Sequence, residues 1–129
     1  MKDNNFVIST ESAPKAVGPY SQAVVKGNYV FISGQLPINP KTNKIEKFTF
    51  REQAKQSMEN IKNILKECNL TFDDLVKTTI FITDLNSFSE VNKEYETFFS
   101  DYFPARACVE VNKLPKDALV EIEAIAFIE

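Results

Sequence analysis

The side chains available for chemistry are restricted, because the 129-residue chain contains no histidine and only two cysteines. Without imidazole the chain cannot build Ser-His or Cys-His nucleophile pairs or an HExxH zinc site. Cys68 and Cys108 form no CxxC pair, so we expect no zinc site, and nothing demands an oxidising compartment. Acid–base chemistry would therefore fall to carboxylates, a tyrosine, a thiol or bound water.

Two carboxylates near the C-terminus are candidates for that chemistry. In the apolar segment 119–128, Glu121 and Glu123 have the same parity, so both would point to one side of a strand. A solvated strand end is the more common reason for such a pair. A pair of carboxylates in a cleft is the functional interpretation, and the pattern alone does not choose between them.

Composition narrows the class of protein. Hydrophobic residues make up 43% and charged residues 26%, which is typical of a soluble globular protein, and the length predicts a single domain over residues 1–129. The net charge of −3 and the absence of a basic cluster argue against nucleic-acid or anionic-membrane partners. Three scattered glycines exclude a phosphate-cradling loop. With no signal sequence and no long apolar run, we expect a cytoplasmic protein.

The elements that must position these groups alternate between strands and helices. Residues 6–10 predict a short strand, and residues 21–26 and 29–33 predict a hairpin, because the Gly27-Asn28 pair between them tolerates the positive φ of a tight turn. Residues 37–47 form a connection with turn chemistry at Asn39-Pro40 and Thr42-Asn43.

Two helices are predicted by capping signals and apolar stripes. Thr49 and Glu52 have the spacing of a capping box, as do Ser87 and Glu90. We expect Asn69 to end the first helix in a left-handed conformation, and Pro104 to prevent the second helix from continuing. The stripes are Ala54, Met58, Ile61, Leu65 and Cys68 in the first helix, and Phe88, Val91, Tyr95, Phe98 and Tyr102 in the second.

Three further strands complete the expected fold. Residues 77–82 lie between the helices, and residues 107–112 and 119–128 follow them, joined by a turn at residues 114–117. The order β-ββ-α-β-α-ββ predicts an α+β domain in which two helices pack on one face of a mixed sheet. The stripe aromatics are then expected to be core residues.

Several short motifs occur in a fixed order: GPYSQ at 18–22, SGQ at 33–35, VKTT at 76–79, VN at 91–92, FPARACVEV at 103–111, LPKD at 114–117 and VEIEAIA at 120–126. With these motifs, over residues 13–127, the chain resembles the reactive intermediate deaminase A family, also called YjgF or RidA. One motif would be weak evidence, but the whole set in order and spacing is specific.

The resemblance implies a chorismate-mutase-like α+β fold and a homotrimer with active sites in clefts between subunits. It also implies a hydrolase that deaminates 2-iminobutanoate and 2-iminopropanoate, or their enamine tautomers, to 2-keto acids and ammonia, with no metal or other cofactor. The expected partners are therefore a small imino acid and further copies of the chain.

The resemblance also places the family's site residues on this chain. The carboxylate-binding arginine falls on Arg106, and relatives without it lie outside the deaminase group. The water-handling glutamate falls on Glu121. The remaining substrate-binding positions fall on Tyr20 (the pocket tyrosine), Ser33 and Gly34 (a small-residue turn), Asn92 (a cleft asparagine) and Cys108 (the pocket thiol).

Plainer interpretations remain beside these. Arg106 taken by itself would be a salt-bridged surface arginine, Tyr20 a packing residue and Cys108 a small buried apolar residue. A regulatory module that binds a small acid with incidental turnover is the alternative function. Ribonuclease activity, described for some relatives, is disfavoured by the acidic charge and the missing histidine, and no sequence feature supports a chaperone role.

Overall fold

The structure is a computed structural model and describes residues 5–129. Six strands form one sheet in the order β1-β2-β3-β8-β6-β7, and two very short strands form a separate hairpin. Only β6 and β7 are parallel, so the main sheet is mixed. The strands are β1 Asn5–Ile8, β2 Ala23–Lys26, β3 Tyr29–Gln35, β4 Ile38–Asn39, β5 Lys44–Ile45, β6 Leu75–Ile82, β7 Ala105–Glu110 and β8 Val120–Phe127, and the helices are α1 Phe50–Glu67 and α2 Phe88–Glu96.

The predicted hairpin is present as β2 and β3. Val25 pairs with Val30 across the turn, and of the two turn residues only Gly27 has a positive φ, at 59°. Asn28 instead donates a hydrogen bond from Nδ2 to the carbonyl of Ile128, at 2.7 Å. The turn therefore also fastens the end of the chain to the sheet.

The connection 37–47 contains one element that the sequence patterns did not predict. Its turn chemistry closes the small β4–β5 hairpin, in which the amide of Asn43 donates to the carbonyl of Asn39 at 2.7 Å. Asn43 has a φ of 62°. Strands of two residues are too short to leave a periodic apolar signal.

Helix α1 follows its predicted signals closely. The Thr49 hydroxyl accepts a hydrogen bond from the Glu52 amide at 3.1 Å, and it also donates to the Glu52 carboxylate at 3.0 Å. The carboxylate thus binds the hydroxyl and not the Thr49 amide, so only one half of the predicted capping box is formed. Asn69 has a φ of 58° where the helix stops, and half-buried Cys68 packs on the core. The predicted stripe from Ala54 to Leu65 is fully buried.

Helix α2 differs from its prediction at both ends. The capping box at Ser87 is wrong, because Ser87 makes no side-chain cap. It belongs to a preceding single 3-10 turn, and its φ of −98° and ψ of 9° are not the extended conformation that a capping hydroxyl needs. Asp84 caps that turn through the amide of Asn86. The helix ends at Glu96, although Phe98 still packs on Phe72 with ring centroids 5.3 Å apart.

The core lies between the helices and one face of the sheet, which confirms the predicted α+β architecture. In β8, the apolar series Val120, Ile122, Ala124 and Ala126 is buried on the helix side. Within residues 5–129 neither helix packs on the opposite face, and there Tyr29, Phe31 and Val109 remain 44%, 46% and 44% exposed. We call this the open face of the sheet. Neither helix within residues 5–129 has the combination of length and apolarity that crossing a membrane requires.

Candidate active site

Arg106 lies on the edge strand β7, on the side that the helices cover. Its register partner on β6 is Thr78, a buried residue whose side chain contacts α2. The Arg106 guanidinium donates from Nη1 to Oδ1 of Asn92 at 2.7 Å. Its Cζ atom lies 5.1 Å from the ring centroid of Phe88 and 5.0 Å from that of Tyr95. Arg106 is thus held by three side chains of one helix.

No carboxylate within residues 5–129 lies at salt-bridge distance from Arg106. The interpretation of Arg106 as a salt-bridged surface arginine is therefore wrong for the described chain. A guanidinium has five N–H donors, and a planar pair of them matches a carboxylate. An adjacent cavity of about 450 Å³ is lined by Asn92, Tyr95, Glu96, Phe103, Pro104 and Arg106.

Glu121 lies on β8 and points to the open face, beside Phe81 of β6. Its side chain packs on Gly34 so closely that a Cβ atom at Gly34 would lie 2.7 Å from Oε2 and 2.9 Å from Cδ. Burial, and secondarily the charge of Glu123, raises the pKa of the Glu121 carboxyl. Glu123 is exposed and fits a solvated strand position, whereas half-buried Glu121 does not.

A second cavity, of about 660 Å³, contains four of the predicted site residues: Tyr20, Ser33, Gly34 and Glu121. Ser33 and Gly34 lie inside β3, where the pairing with β8 is irregular between Ile32 and Gln35. Their prediction as a turn is therefore wrong, since they form a bulge within a strand. The Ser33 hydroxyl donates to the carbonyl of Ser21 at 2.6 Å, which leaves its oxygen free to accept.

Cys108 lies two residues beyond Arg106, on the same face of β7, and is half-buried. Burial raises the pKa of the Cys108 thiol, although the nearby Arg106 charge acts in the opposite direction. A thiol with a raised pKa is protonated at neutral pH and is a poor nucleophile. Within residues 5–129, no three metal-ligating side chains are grouped together either.

The predicted site residues therefore form two separate groups within one chain. Arg106, Asn92 and Cys108 lie at the helix-covered edge, while Tyr20, Ser33, Gly34 and Glu121 lie on the open face. The two lining sets share no residue.

The apolar stripe of α2 predicted Phe88 and Tyr95 as core residues but did not predict their contact with Arg106. A signal for that contact exists in the sequence. Phe88, Asn92 and Tyr95 are spaced at i, i+4 and i+7, which places them on one helix face.

Comparisons with known proteins find relatives that match nearly the whole chain. The family model described as Endoribonuclease L-PSP matches residues 10–128. The 2-iminobutanoate/2-iminopropanoate deaminase of Escherichia coli is 52% identical over 122 residues, which is 92% of this chain and 94% of the relative. A RutC family protein of Pyrococcus abyssi is 50% identical over 123 residues, 95% of this chain and 97% of the relative. The crystal structure of E. coli TdcF with bound serine has a TM-score of 0.92 at 45% identity, covering 96% of this chain and 99% of that one.

Proposed function

The chain belongs to the Endoribonuclease L-PSP family, and from this premise we propose that it is a hydrolase acting on C=N bonds. Its substrates are 2-iminobutanoate and 2-iminopropanoate, which it converts to 2-keto acids and ammonia, without a cofactor. The observation that carries the proposal is an arginine held by α2 without an ion pair within residues 5–129, in a chain 52% identical to a deaminase of that name.

Arg106 binds the substrate carboxylate. The contact with Asn92 occupies only Nη1, so other N–H groups remain to form two parallel bonds with the carboxylate. A lysine has the charge but not this planar fork. Fixing the carboxylate orients the adjacent imine carbon toward a held water, which removes much of the entropic cost of the reaction. The structure of TdcF contains bound serine, a small molecule that carries a carboxylate as 2-iminobutanoate does.

Glu121 handles the proton. The carboxylate accepts a proton as water attacks the carbon of the protonated imine, and it returns that proton to the nitrogen of the resulting carbinolamine. Ammonia then leaves as the C=O bond forms, and the carboxylate takes the proton of the carbinolamine hydroxyl and passes it to the departing ammonia. The raised pKa of Glu121 suits this role, because a carboxyl with a higher pKa is a stronger base when ionised. Tyr20, Ser33 and the backbone at Gly34 line the same cavity and bind the rest of the substrate.

We place the complete site between subunits of a homotrimer. Arg106 and Glu121 lie on opposite faces of the sheet, so one chain does not bring them to one substrate molecule. The open face also exposes aromatic side chains, among them Tyr29 and Phe31, and such a surface is typical of an oligomer interface. Each cleft would then take Arg106 from one subunit and Glu121 from its neighbour.

The cytoplasm is the proposed location. Both cysteines of the chain are free thiols, as is usual in a reducing compartment.

The function is tested by coupling the purified protein to a threonine dehydratase, which releases 2-iminobutanoate. We expect faster 2-ketobutyrate and ammonia formation, with imines of several side-chain sizes showing which substrate is preferred. Tight binding of 2-ketobutyrate without any acceleration would contradict the proposal and favour the regulatory binding module. Cleavage of RNA that persists through purification and disappears in Arg106→Lys would favour the activity that gives the family its name.

A further inference from the structure

The contacts of Arg106 continue into the protein through Tyr95. The Tyr95 hydroxyl and the Thr78 hydroxyl are hydrogen bonded at 2.7 Å, and both residues are buried, at 3% and 0% exposure. Thr78 is also the register partner of Arg106 across β6 and β7. The three residues therefore form a closed triangle: a backbone pairing, a buried hydrogen bond and a guanidinium lying over a ring.

This triangle restricts how the Tyr95 ring can move. A phenylalanine at position 95 could tilt within its packing, whereas the bond to Thr78 ties the phenol oxygen to β6, a strand that is paired on both sides. The guanidinium packs on that ring and also lies over Phe88. Since Arg106 itself is exposed, its long side chain would otherwise sample many rotamers, and ordering it at the moment of binding would weaken affinity.

We propose that Tyr95 is a positioning residue: its hydrogen bond to Thr78 fixes the ring that holds the Arg106 guanidinium ready for a carboxylate. The role of Arg106 in binding substrate rests on the proposed function, but the restraint on Arg106 does not. Tyr95 acts through Arg106 and not on the imine carbon or the attacking water. Its contribution is expected in ligand affinity and KM, with little change in kcat.

Two substitutions test the proposal from the two ends of the hydrogen bond. Tyr95→Phe and Thr78→Val each remove one hydroxyl, and each is expected to raise KM and the Kd for 2-ketobutyrate roughly 3- to 10-fold, the size of one buried hydrogen bond. The double variant is expected to cost no more than the larger single effect, because both remove the same interaction. Thr78→Ser keeps a hydroxyl and is expected to restore wild-type KM.

Tyr102→Phe is the matched control. Tyr102 also donates its hydroxyl within the protein, to the carbonyls of Asp73 and Leu75, but within residues 5–129 the hydrogen bond and the cation–π contacts of Arg106 involve Asn92, Phe88 and Tyr95 and not Tyr102. The same chemical change there is expected to leave KM, kcat and Kd unchanged, even where it lowers the melting temperature. An equal rise in KM in Tyr102→Phe would mean that general loosening, rather than positioning, causes the effect, and would overturn the proposal.

A measurement on Arg106 itself separates this proposal from the proposed function. The Nε–H signal of Arg106, identified by its loss in Arg106→Lys, is expected to be shifted by the two aromatic rings in the wild type. It should move toward the free-arginine position in Tyr95→Phe and Thr78→Val. Unchanged Nε–H signal and KM in folded Tyr95→Phe would overturn the proposal. A shifted wild-type signal that moves in both variants, in a protein that does not bind 2-ketobutyrate, would support the positioning role and contradict the proposed function.

Discussion

The two halves of the candidate site are built in opposite ways. Arg106 is held by a hydrogen bond to Asn92 and by the rings of Phe88 and Tyr95, all supplied by one helix. The Glu121 carboxylate has no hydrogen-bond partner within residues 5–129 and rests against Gly34 on the open face. One group is anchored by its own chain, and the other is left with its acceptors free.

The difference follows from what each group must do. A group that binds an anion gains from being fixed beforehand, because less freedom is lost when the ligand arrives. A general base loses strength when hydrogen bonds stabilise its charged form, because they lower its pKa. Burial, and secondarily the charge of Glu123, raises the pKa of the Glu121 carboxyl, and no hydrogen bond within residues 5–129 acts in the opposite direction.

The largest effect is expected from removing the base. Glu121→Gln keeps the shape of the side chain but not its basicity, so turnover should fall by about 10²–10⁴-fold. Affinity for 2-ketobutyrate should hold or improve, since a carboxylate that repels the ligand is gone. Imine hydrolysis and 2-ketobutyrate binding are measured on the same folded protein, with exposed Glu123→Gln as the matched control. Wild-type values for both quantities would remove Glu121 from the mechanism.

A change at Arg106, the group that α2 anchors, is expected to lower the affinity for the ligand. Arg106→Lys keeps the charge and loses the planar fork, so kcat/KM and the affinity for 2-ketobutyrate should fall roughly 10- to 100-fold. Arg51→Lys is the control, because Arg51 is a surface arginine paired with Glu94 at 3.1 Å, and it should change neither. Calorimetry with 2-ketobutyrate measures the difference, and near-normal binding by Arg106→Lys would mean that the carboxylate is held elsewhere.

A smaller loss is expected when the support of Glu121 is changed. An added methyl at Gly34 would overlap the Glu121 carboxylate, so Gly34→Ala should displace the base and lower kcat by about tenfold. Gly27→Ala is the control. Gly27 has open space around it but a φ of 59°, so this substitution should lower the melting temperature and leave kcat unchanged. Full kcat in Gly34→Ala would show that the close packing at Gly34 has no bearing on turnover.

The smallest effect concerns pH. Glu121 must be ionised to act as a base, so activity should fall as pH drops through its raised pKa, at higher pH than an ordinary glutamate would give. Glu123→Gln removes the weaker of the two causes, and burial remains. The acid limb of kcat against pH should therefore move to lower pH without reaching the position of an exposed glutamate. The Glu123→Gln variant keeps the two lysines that line the same cavity, Lys15 and Lys116. A limb that moves upward would exclude Glu121 as the titrating group.

Local signals predicted much of the fold. The Gly27-Asn28 hairpin, the Thr49 cap and the Asn69 stop depend on neighbouring residues only, and each is confirmed. The predicted cap at Ser87 is wrong because Ser87 is part of the preceding 3-10 turn, and the capping pattern alone does not reveal that turn.

The sequence predicted less of the site, because strand register determines which site residues lie on each face of the sheet. Parity placed Glu121 opposite the apolar face of β8, but only the pairing of Arg106 with Thr78 shows that the arginine lies on the other side of the sheet. The contact of Tyr95 with Arg106 likewise joins α2 to β7. The roles of the seven predicted site residues stay predictions.

The central claim, that two chains complete one site, is tested most directly by mixing two proteins of reduced activity. Arg106→Lys and Glu121→Gln, carrying different tags, are unfolded together in equal amounts and refolded, and mixed assemblies are isolated after light scattering confirms a trimer mass. If each cleft takes Arg106 from one subunit and Glu121 from its neighbour, every mixed trimer contains one cleft with both residues, which is about one third of the clefts. We therefore predict recovery of about one third of wild-type activity in the isolated mixed trimers. Mixed trimers that are no more active than the more active of the two parents, or a protein with a monomer mass, would contradict the account.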